Sequence, residues 1–392
     1  MRFMNVRPRG RVLGVLVLVS VALAAAVGSA SPARAALSGD GWTEQVLPTN
    51  YSVGDGVLDP VSCARGTEFC AVIADDSAVL VDGFYIGQAA LVTDDAGQSW
   101  AGYATLPSTF RVTALSCVSA SVCWASGTNW QDGPGVAETT DGGQTWTDMT
   151  PASWATAQWW PNAIDCVSAT TCYLAGNDWA AGLQNPAAAV TTDGGGTWTE
   201  FGNLPAFTSS DPNGTYTLDG ISCVSALSCV ATGGLNEADG TATVITTADG
   251  GTTWSRSTDP TLSHVQQLFS VSCLPAAHGK TTCLAAASAL AAAGPVALLS
   301  RDGGVHWGER RQFDTTGWLN SISCATPTHC WAAGAGTTVG LAGTADKGKT
   351  WSTVTSDTTN EDGSVSCLSV DVCVATTDNG LWVTSNDGGL AG

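Results

Sequence analysis

The sequence predicts an all-β fold, a single seven-bladed β-propeller with four-stranded blades. Cysteine pairs recur seven times along the chain, and the first cysteines of successive pairs lie 54, 49, 57, 50, 51 and 43 residues apart. A second motif, Ser/Thr-x-Asp-x-Gly-x-x-Trp, begins 18 to 30 residues after the first cysteine of each pair. The segments around both markers are short and rich in Thr, Val and Trp, as strands are. Repeats of about 40 to 50 residues are typical of propeller blades.

The N-terminal segment has the three parts of a secretory signal peptide. Arginines such as Arg2 and Arg11 precede an apolar run over 12–27, and the small residues around Ala35 follow. A membrane-spanning helix needs about 20 apolar residues, so a retained membrane anchor is the weaker alternative. We expect cleavage after Ala35 or Ala36, a propeller over 36–392, and a secreted protein without membrane insertion.

The cysteines could form local disulfides, bind zinc or act as reactive thiols. Exported chains with regularly paired cysteines favour disulfides, whereas zinc would require two pairs to converge and redox catalysis usually uses a closer Cys-x-x-Cys pair. We therefore expect one hairpin disulfide in every blade, with no metal site and no cofactor. The pairs are Cys63/Cys70, Cys117/Cys123, Cys166/Cys172, Cys223/Cys229, Cys273/Cys283, Cys324/Cys330 and Cys367/Cys373.

The second motif predicts a tight turn between two strands. Its aspartate can accept hydrogen bonds from nearby backbone amides, and its glycine allows a conformation that other residues avoid. Six copies are complete and the seventh stops before its tryptophan, so we expect a structural role for Asp95, Asp141, Asp193, Asp249, Asp302, Asp346 and Asp387.

This motif resembles the Asp-box, or BNR repeat, of sialidases, sortilin-type receptors and photosystem II assembly propellers. The resemblance covers essentially the whole mature chain and implies that the box joins the third and fourth strands of a blade, away from the ligand site. The last repeat lacks a fourth strand, while Trp42-Thr43-Glu44 nearly copies Trp198-Thr199-Glu200. We expect residues 42–47 to supply the missing strand and close the ring.

Four antiparallel strands per blade give the propeller two unequal faces. The cysteine loops and Asp-boxes share one face; the second-to-third loops and the connections between blades share the other. Clustered tryptophans beside polar groups on this second face are typical of sugar stacking, but they could instead pack long loops against the blades. The candidate ligand-binding residues are Trp130, Trp154, Trp159, Trp160 and Trp179, with Trp318 farther round the same face.

Charge narrows the choice of partner. The formal net charge is −20, and loss of residues 1–35 would remove five of the 14 basic residues and none of the 34 acidic ones. Such a surface repels phosphate groups, which disfavours nucleic acids and anionic membranes as partners. We expect a monomer that binds a carbohydrate or a protein.

Catalysis is the less favoured interpretation. The only arginine entering an inner strand is Arg111, and Phe110-Arg111-Val112 lacks the proline of the sialidase Phe-Arg-Ile-Pro motif, so sialidase activity is not expected. Another glycoside hydrolase would need two carboxylates about 5 to 10 Å apart. Asp165 is distinctive because the other six repeats have serine at its position. The candidates are Asp132, Asp165, Asp178 and Glu237, with Asp82, Asp219 and Asp239 on the same face. A non-catalytic binding or scaffold propeller is preferred, and a glycoside hydrolase is the alternative.

Overall fold

The structure is a computed structural model. It describes residues 41–48, 51–52, 60–81, 85–107, 110–129, 133–178, 185–205, 216–235, 241–289, 294–313, 317–336, 340–354, 363–377 and 380–384. All of them belong to one compact unit, Ala35–Gly392. The predicted signal peptide lies outside the described residues.

Short strands make up almost all of the regular structure. The first ten are β1 (Trp42–Glu44), β2 (Tyr51–Ser52), β3 (Val61–Cys63), β4 (Cys70–Val81), β5 (Tyr85–Thr93), β6 (Ala101–Thr105), β7 (Phe110–Cys117), β8 (Cys123–Asn129), β9 (Pro134–Thr139) and β10 (Thr147–Asp148). The next eight are β11 (Trp159–Cys166), β12 (Cys172–Asp178), β13 (Asn185–Thr191), β14 (Thr199–Glu200), β15 (Tyr216–Ser225), β16 (Ser228–Leu235), β17 (Ala242–Thr247) and β18 (Ser255–Arg256).

The remaining strands are β19 (Val265–Pro275), β20 (Thr281–Ala289), β21 (Pro295–Ser300), β22 (Gly308–Gln312), β23 (Gly317–Cys324), β24 (Cys330–Gly336), β25 (Leu341–Thr344), β26 (Ser352–Val354), β27 (Ser364–Cys367), β28 (Cys373–Thr377) and β29 (Gly380–Thr384). The described part of the chain also has three short 3-10 helices between strands, Ala152–Thr156, Pro260–His264 and Ala277–Gly279. Among the described residues, no helix is long and apolar enough to cross a membrane.

The β-propeller arrangement is confirmed, but the predicted seven separate blades are wrong. The described strands form five sheets of four or five strands and one sheet of eight, in which β16 pairs with β19. The contact is a single pair, Gly234 opposite Gln267. A Cβ on Gly234 would lie 2.6 Å from the Gln266 carbonyl oxygen, so only glycine lets the two backbones approach this closely. Two sequence repeats therefore join in one sheet.

All seven cysteine pairs form disulfides across their hairpins, with Cα atoms 3.9 to 4.0 Å apart. No cysteine is free. Cys223–Cys229 and Cys273–Cys283 both lie in the eight-stranded sheet, so the prediction of one disulfide per blade is also wrong. Seven disulfides indicate that the chain folds in an oxidising environment.

The N-terminal strand joins the C-terminal sheet, as the sequence predicted. Strand β1 pairs antiparallel with β29, placing Trp42 opposite Thr384 and Glu44 opposite Trp382. The Trp42 ring meets Trp331 edge to face, with ring centroids 5.0 Å apart. The two ends of the described chain are thus held in one sheet, and the packing of Trp42 against Trp331 ties that sheet to its neighbour.

Inner strands of neighbouring hairpins are linked by one repeated hydrogen bond. The residue before each first cysteine accepts a hydrogen bond from the backbone N–H of the first cysteine in the next hairpin, and the last hairpin bonds to the first. We call these seven contacts the inner ring. Its acceptors and donors are Ser62 and Cys117, Ser116 and Cys166, Asp165 and Cys223, Ser222 and Cys273, Ser272 and Cys324, Ser323 and Cys367, and Ser366 and Cys63.

Candidate functional site

Five inner strands carry one extra residue at the same level, opposite the second strand of their hairpin. Each extra residue interrupts the strand register, which is a β-bulge. Bulges redirect a side chain out of the regular alternation of a strand and are common beside functional sites. All five side chains line one cavity. These residues, the bulge set, are Thr113, Asn162, Asp219, Phe269 and Asn320.

Glycine on the second strand makes room for four of these bulges. A Cβ on Gly127, Gly176, Gly233 or Gly334 would lie 1.8 to 2.1 Å from a carbonyl oxygen of the paired inner strand. Such a contact is impossible without a shift of the backbone. The fifth bulge, at Phe269, faces Ala286 and Ala287 instead.

The bulge set surrounds a cavity of about 740 Å³ where the inner strands begin. Ile164, Phe269 and Trp318 supply apolar walls, and Trp318 is 39% exposed. Side-chain amides and hydroxyls supply most of the polar atoms. Asp219 is the only ionisable side chain among the described residues that line this cavity. Its size is that of a ligand pocket.

Three neutral groups hold the carboxylate of Asp219. Gln267 Nε2 donates to Oδ2 at 2.7 Å, Thr217 Oγ1 donates to Oδ2 at 3.1 Å, and Asn162 Nδ2 lies 3.5 Å from Oδ1. We call the space that the inner strands enclose the channel. Burial in the channel raises the pKa of Asp219 to about 6, although the hydrogen bonds from Gln267 and Thr217 oppose the rise. No cation of the described chain forms an ion pair with it.

Asn162 connects Asp219 to the neighbouring sheet. Its Nδ2 also donates to Asn177 Oδ1 at 2.9 Å and to the Leu218 carbonyl at 3.0 Å. Asn177 is 2% exposed, and its own Nδ2 has no partner among the described residues. The polar network around Asp219 is therefore buried on one side and open to the cavity on the other.

Two rings of the predicted tryptophan cluster are packed. Trp154 and Trp159 are 3% and 4% exposed, and their rings meet edge to face at 5.1 Å. Trp154 Nε1 donates to Glu200 Oε1 at 2.8 Å. The packing alternative therefore describes these two rings, which present no open face for a sugar. Trp160 is half-buried in β11, and Trp130 and Trp179 lie outside the described residues.

The structure separates Asp165 from the other predicted carboxylates that it describes. Asp165 is the residue before the end of β11, whereas Asp178 pairs with Trp159 at the other end of the same hairpin. Asp165 and Trp159 are six positions apart along the strand, a distance of about 20 Å. Asp219 is four positions from Cys223, whose backbone N–H bonds to Asp165, so Asp219 and Asp165 are about 13 Å apart. Neither distance suits a hydrolase pair. Asp132, Glu237, Asp82 and Asp239 lie outside the described residues.

Asp165 belongs to a second cavity, of about 460 Å³, at the end of the channel where the inner strands reach the cysteines. Burial raises its pKa to about 6, against the hydrogen bond from Cys223 and the charge of Arg65. Arg65 also lines this cavity and donates to the Cys324 carbonyl at 2.8 Å. An arginine from one hairpin thus reaches the backbone of another at this end of the channel.

The motif aspartates are used within their own turns. In the second copy, Asp141 Oδ1 accepts from the Thr145 backbone at 2.9 Å and Oδ2 from its hydroxyl at 2.6 Å. Hydrogen bonds of the same kind lower the pKa of Asp95 to about 2, and the bond from the Ser99 hydroxyl has the largest effect. Gly142 also bonds to Ser121 in the adjacent cysteine loop. Similar bonds hold Asp193, Asp249, Asp302 and Asp346, while Asp387 lies outside the described residues.

Three solved structures share the fold of this chain. YCF48 bound to D1 peptide is 18% identical, with 90% of this chain and 99% of that chain covered and a TM-score of 0.58. YCF48 from Cyanidioschyzon merolae is 12% identical, with 89% and 99% covered and the same TM-score of 0.58. The chain has the β-propeller fold of these proteins. A polysaccharide lyase of family PL25, an ulvan lyase, is 9% identical, with 88% and 96% covered and a TM-score of 0.54.

The predicted resemblance to the propeller superfamily that includes photosystem II assembly factors is confirmed at the level of fold. At these identities, the propeller likeness assigns no activity. No protein-family model matches the chain. No curated protein matches it either. Among its described residues, no group of three or more His, Cys, Asp or Glu is placed to hold a metal ion.

Proposed function

We propose that this chain is an exported, non-catalytic propeller that binds a protein ligand by taking a peptide segment into the cavity of the bulge set. One observation carries the proposal: polar side chains of several neighbouring hairpins are redirected into one cavity that also has apolar walls. Regular strand alternation would not direct these side chains into the cavity. Each bulge disrupts strand pairing locally and in doing so places a side chain there.

The chemistry of the cavity suits a peptide. The side-chain amides of Asn162, Gln267 and Asn320 offer both donors and acceptors, which match backbone N–H and C=O groups. Phe269 and Trp318 offer apolar surface to a side chain. Of the tryptophans predicted to stack on a sugar, Trp154 and Trp159 are packed and present no open face. YCF48, a protein of the same fold with a D1 peptide bound, is a precedent for the class of ligand.

The binding role is favoured over hydrolysis by the charge in the cavity. Glycoside hydrolysis generally requires an acid and a second carboxylate. Asp219 has no carboxylate partner among the described residues that line the cavity. The acids at Asp165 and Asp178 are too far from each other to act as a pair.

Export is supported by two independent features. Residues 1–35 have the composition of a signal peptide, and seven disulfides require an oxidising environment. We propose cleavage after Ala35 or Ala36. N-terminal sequencing of protein recovered from the culture medium tests this directly. A start at Leu37 or Ala36 supports export, and an intact Met1 on cell-associated protein contradicts it.

The binding proposal is tested on arrays of synthetic peptides and of glycans, with the mature protein as probe. Wild type should retain a subset of peptides. Trp318→Ala should reduce that retention, because it removes the exposed wall of the cavity. Leu227→Ala is the matched control, since Leu227 is 59% exposed in a cysteine loop on the other face. Retention of glycans alone, or of no peptide at all, would contradict the proposal.

Polysaccharide cleavage is the second candidate. It is favoured by the position of Asp219, whose pKa of about 6 suits a general acid near neutral pH. The test is incubation with a panel of polysaccharides, followed by analysis of the products. Turnover that Asp219→Asn abolishes would support an enzyme. If the polysaccharides are not cleaved, the result supports the binding role.

A further inference from the structure

We infer that the cavity selects a lysine or arginine side chain of its protein ligand, with Asp219 as the counter-charge. The inference rests on the proposed binding function and specifies the residue class that the cavity accepts. Asp219 differs from two other acids of the chain because no arginine of the described residues lies beside it.

Two other acids of the described chain, the buried Asp75 and the partly buried Asp165, have an arginine of the same chain nearby. Asp75 Oδ1 lies 3.6 Å from Arg111 Nη2. Asp165 experiences the positive charge of Arg65. Asp219 has only the neutral donors of Gln267, Thr217 and Asn162 among the described residues. Removing a carboxylate from water is costly unless a charge partner or full hydrogen bonding compensates it.

The position of Asp219 leaves it accessible to a ligand. It occupies a bulge on β15, lines the open cavity and is only partly buried. A carboxylate can accept about four hydrogen bonds, and three donors approach this one, at 2.7, 3.1 and 3.5 Å. Acceptor capacity therefore remains for an ammonium or a guanidinium group.

The rest of the cavity fits the body of such a side chain. Phe269 and Trp318 contribute aromatic rings, which attract cations through their faces and pack against the alkyl stem of lysine or arginine. No basic side chain among the described lining residues would repel the incoming cation. The formal net charge of −20 also draws cationic segments toward the protein.

A bound metal ion is a poorer fit. Calcium takes about six to eight oxygen ligands. The side-chain nitrogens of Gln267 and Asn162 point N–H groups toward the carboxylate. This arrangement stabilises the ionised carboxylate, whose remaining lone pairs can accept hydrogen bonds from a ligand. Guanidinium and ammonium groups are donors, whereas a metal ion is not.

The probe is a library of N-acetylated, C-amidated hexapeptides in which the third residue is Arg, Lys, citrulline or norleucine and the others are randomised. Citrulline keeps the shape of arginine without its charge. We expect the mature wild-type protein to retain the Arg and Lys pools about 10- to 100-fold more tightly than the citrulline pool. Equal retention of Arg and citrulline pools would overturn the cation assignment while leaving peptide binding intact. No retention of any pool would overturn both.

Two variants locate the charge. Asp219→Asn keeps the size of the side chain and should lose the preference for Arg over citrulline. Asp165→Ser changes the acid at the other end of the channel to the residue used by the other six repeats, and should keep the preference. A preference that survives Asp219→Asn would overturn the role of Asp219. If thermal melting shows that Asp219→Asn does not fold, the wild-type comparison of Arg with citrulline still decides whether a cation is selected.

Discussion

The backbone N–H of Cys223 donates to Asp165 Oδ2 at 2.6 Å. The other six links of the inner ring use a serine hydroxyl at this place, with donor–acceptor distances of 2.9 to 3.1 Å. Asp165 therefore performs a structural task that serine performs elsewhere, but it brings a charge into the wall of the channel. The free-energy cost of burying this charge depends on pH.

Replacing Asp165 by serine should stabilise the protein at neutral pH. The pKa of Asp165 is about 6 in the folded chain and about 4 when unfolded, so folding binds a proton between these values and opposes ionisation above them. Wild type should gain stability as the pH falls from 7 to 4, and Asp165→Ser should gain less. At pH 7.5 the variant should be more stable by about 1 kcal/mol, which is less than the cost of the carboxylate alone because Asp165 also offsets the burial of the Arg65 charge.

Urea denaturation at pH 7.5 and at pH 4.5 measures this difference. The gap between wild type and Asp165→Ser should shrink at the lower pH, where the carboxyl is neutral in the folded state. Ser222→Ala, at the next position of the inner ring, is the control for loss of one link without any charge. A variant Asp165→Ser that is less stable than wild type at both pH values would contradict the explanation.

The sequence predicted the disulfide hairpins and the N-terminal closing strand because those features depend on local markers. Cysteine spacing fixes which thiols can meet across a short loop, and Trp42-Thr43-Glu44 matches a repeated strand start. The predicted number of separate blades was wrong because it depends on a contact between two repeats. Gly234 admits the backbone of β19, and no motif marks a glycine that permits such a contact.

Gly233→Ala should destabilise the protein and impair peptide retention together. The new Cβ would lie 1.9 Å from the Thr217 carbonyl oxygen, so the bulge that places Asp219 must shift. We expect a loss of about 1 to 3 kcal/mol in the free energy of unfolding, as for other substitutions that force overpacking. Thermal melting and the peptide array provide the two readouts.

Gly202→Ala is the matched control for this substitution. A Cβ at Gly202 would meet no atom within 4 Å, and its backbone is not in the left-handed region. Its stability should stay within about 0.5 kcal/mol of wild type. If Gly233→Ala behaves like Gly202→Ala, the bulge is not held by this close approach.

The candidate site was only partly predictable. Asp219 was among the acids expected on the ligand face, but the tryptophan pattern predicted Trp154 and Trp159 as ligand-binding residues, and both are buried. A bulge shifts the alternation of a strand by one residue, so a simple two-residue period assigns side chains near it to the wrong side. One signal was present: glycine stands four residues after the second cysteine in four hairpins. These glycines are Gly127, Gly176, Gly233 and Gly334.

Each short disulfide should make a modest, separate contribution to stability. Cys324 and Cys330 are six residues apart, and closing so short a loop in the unfolded chain is worth roughly 2 kcal/mol. The double variant Cys324→Ser, Cys330→Ser should lose about that much in urea denaturation and still fold. Thiol counting on denatured, unreduced wild type should find none. Several reactive thiols per wild-type chain would contradict the pairing.

Binding of cationic peptides should weaken below pH 6. A proton and a ligand cation compete for the carboxylate of Asp219, whose pKa in the free protein is about 6. At pH 5 about nine-tenths of the free protein carries the proton, so the dissociation constant should rise about tenfold relative to pH 7. Asp219 is the only titratable side chain among the described residues of the cavity, so no other group there should contribute. Isothermal titration with one Arg hexapeptide from the array, between pH 5 and pH 7.5, measures the slope. Asp219→Asn should show no slope, and an equal slope for the citrulline peptide would place the titrating group elsewhere.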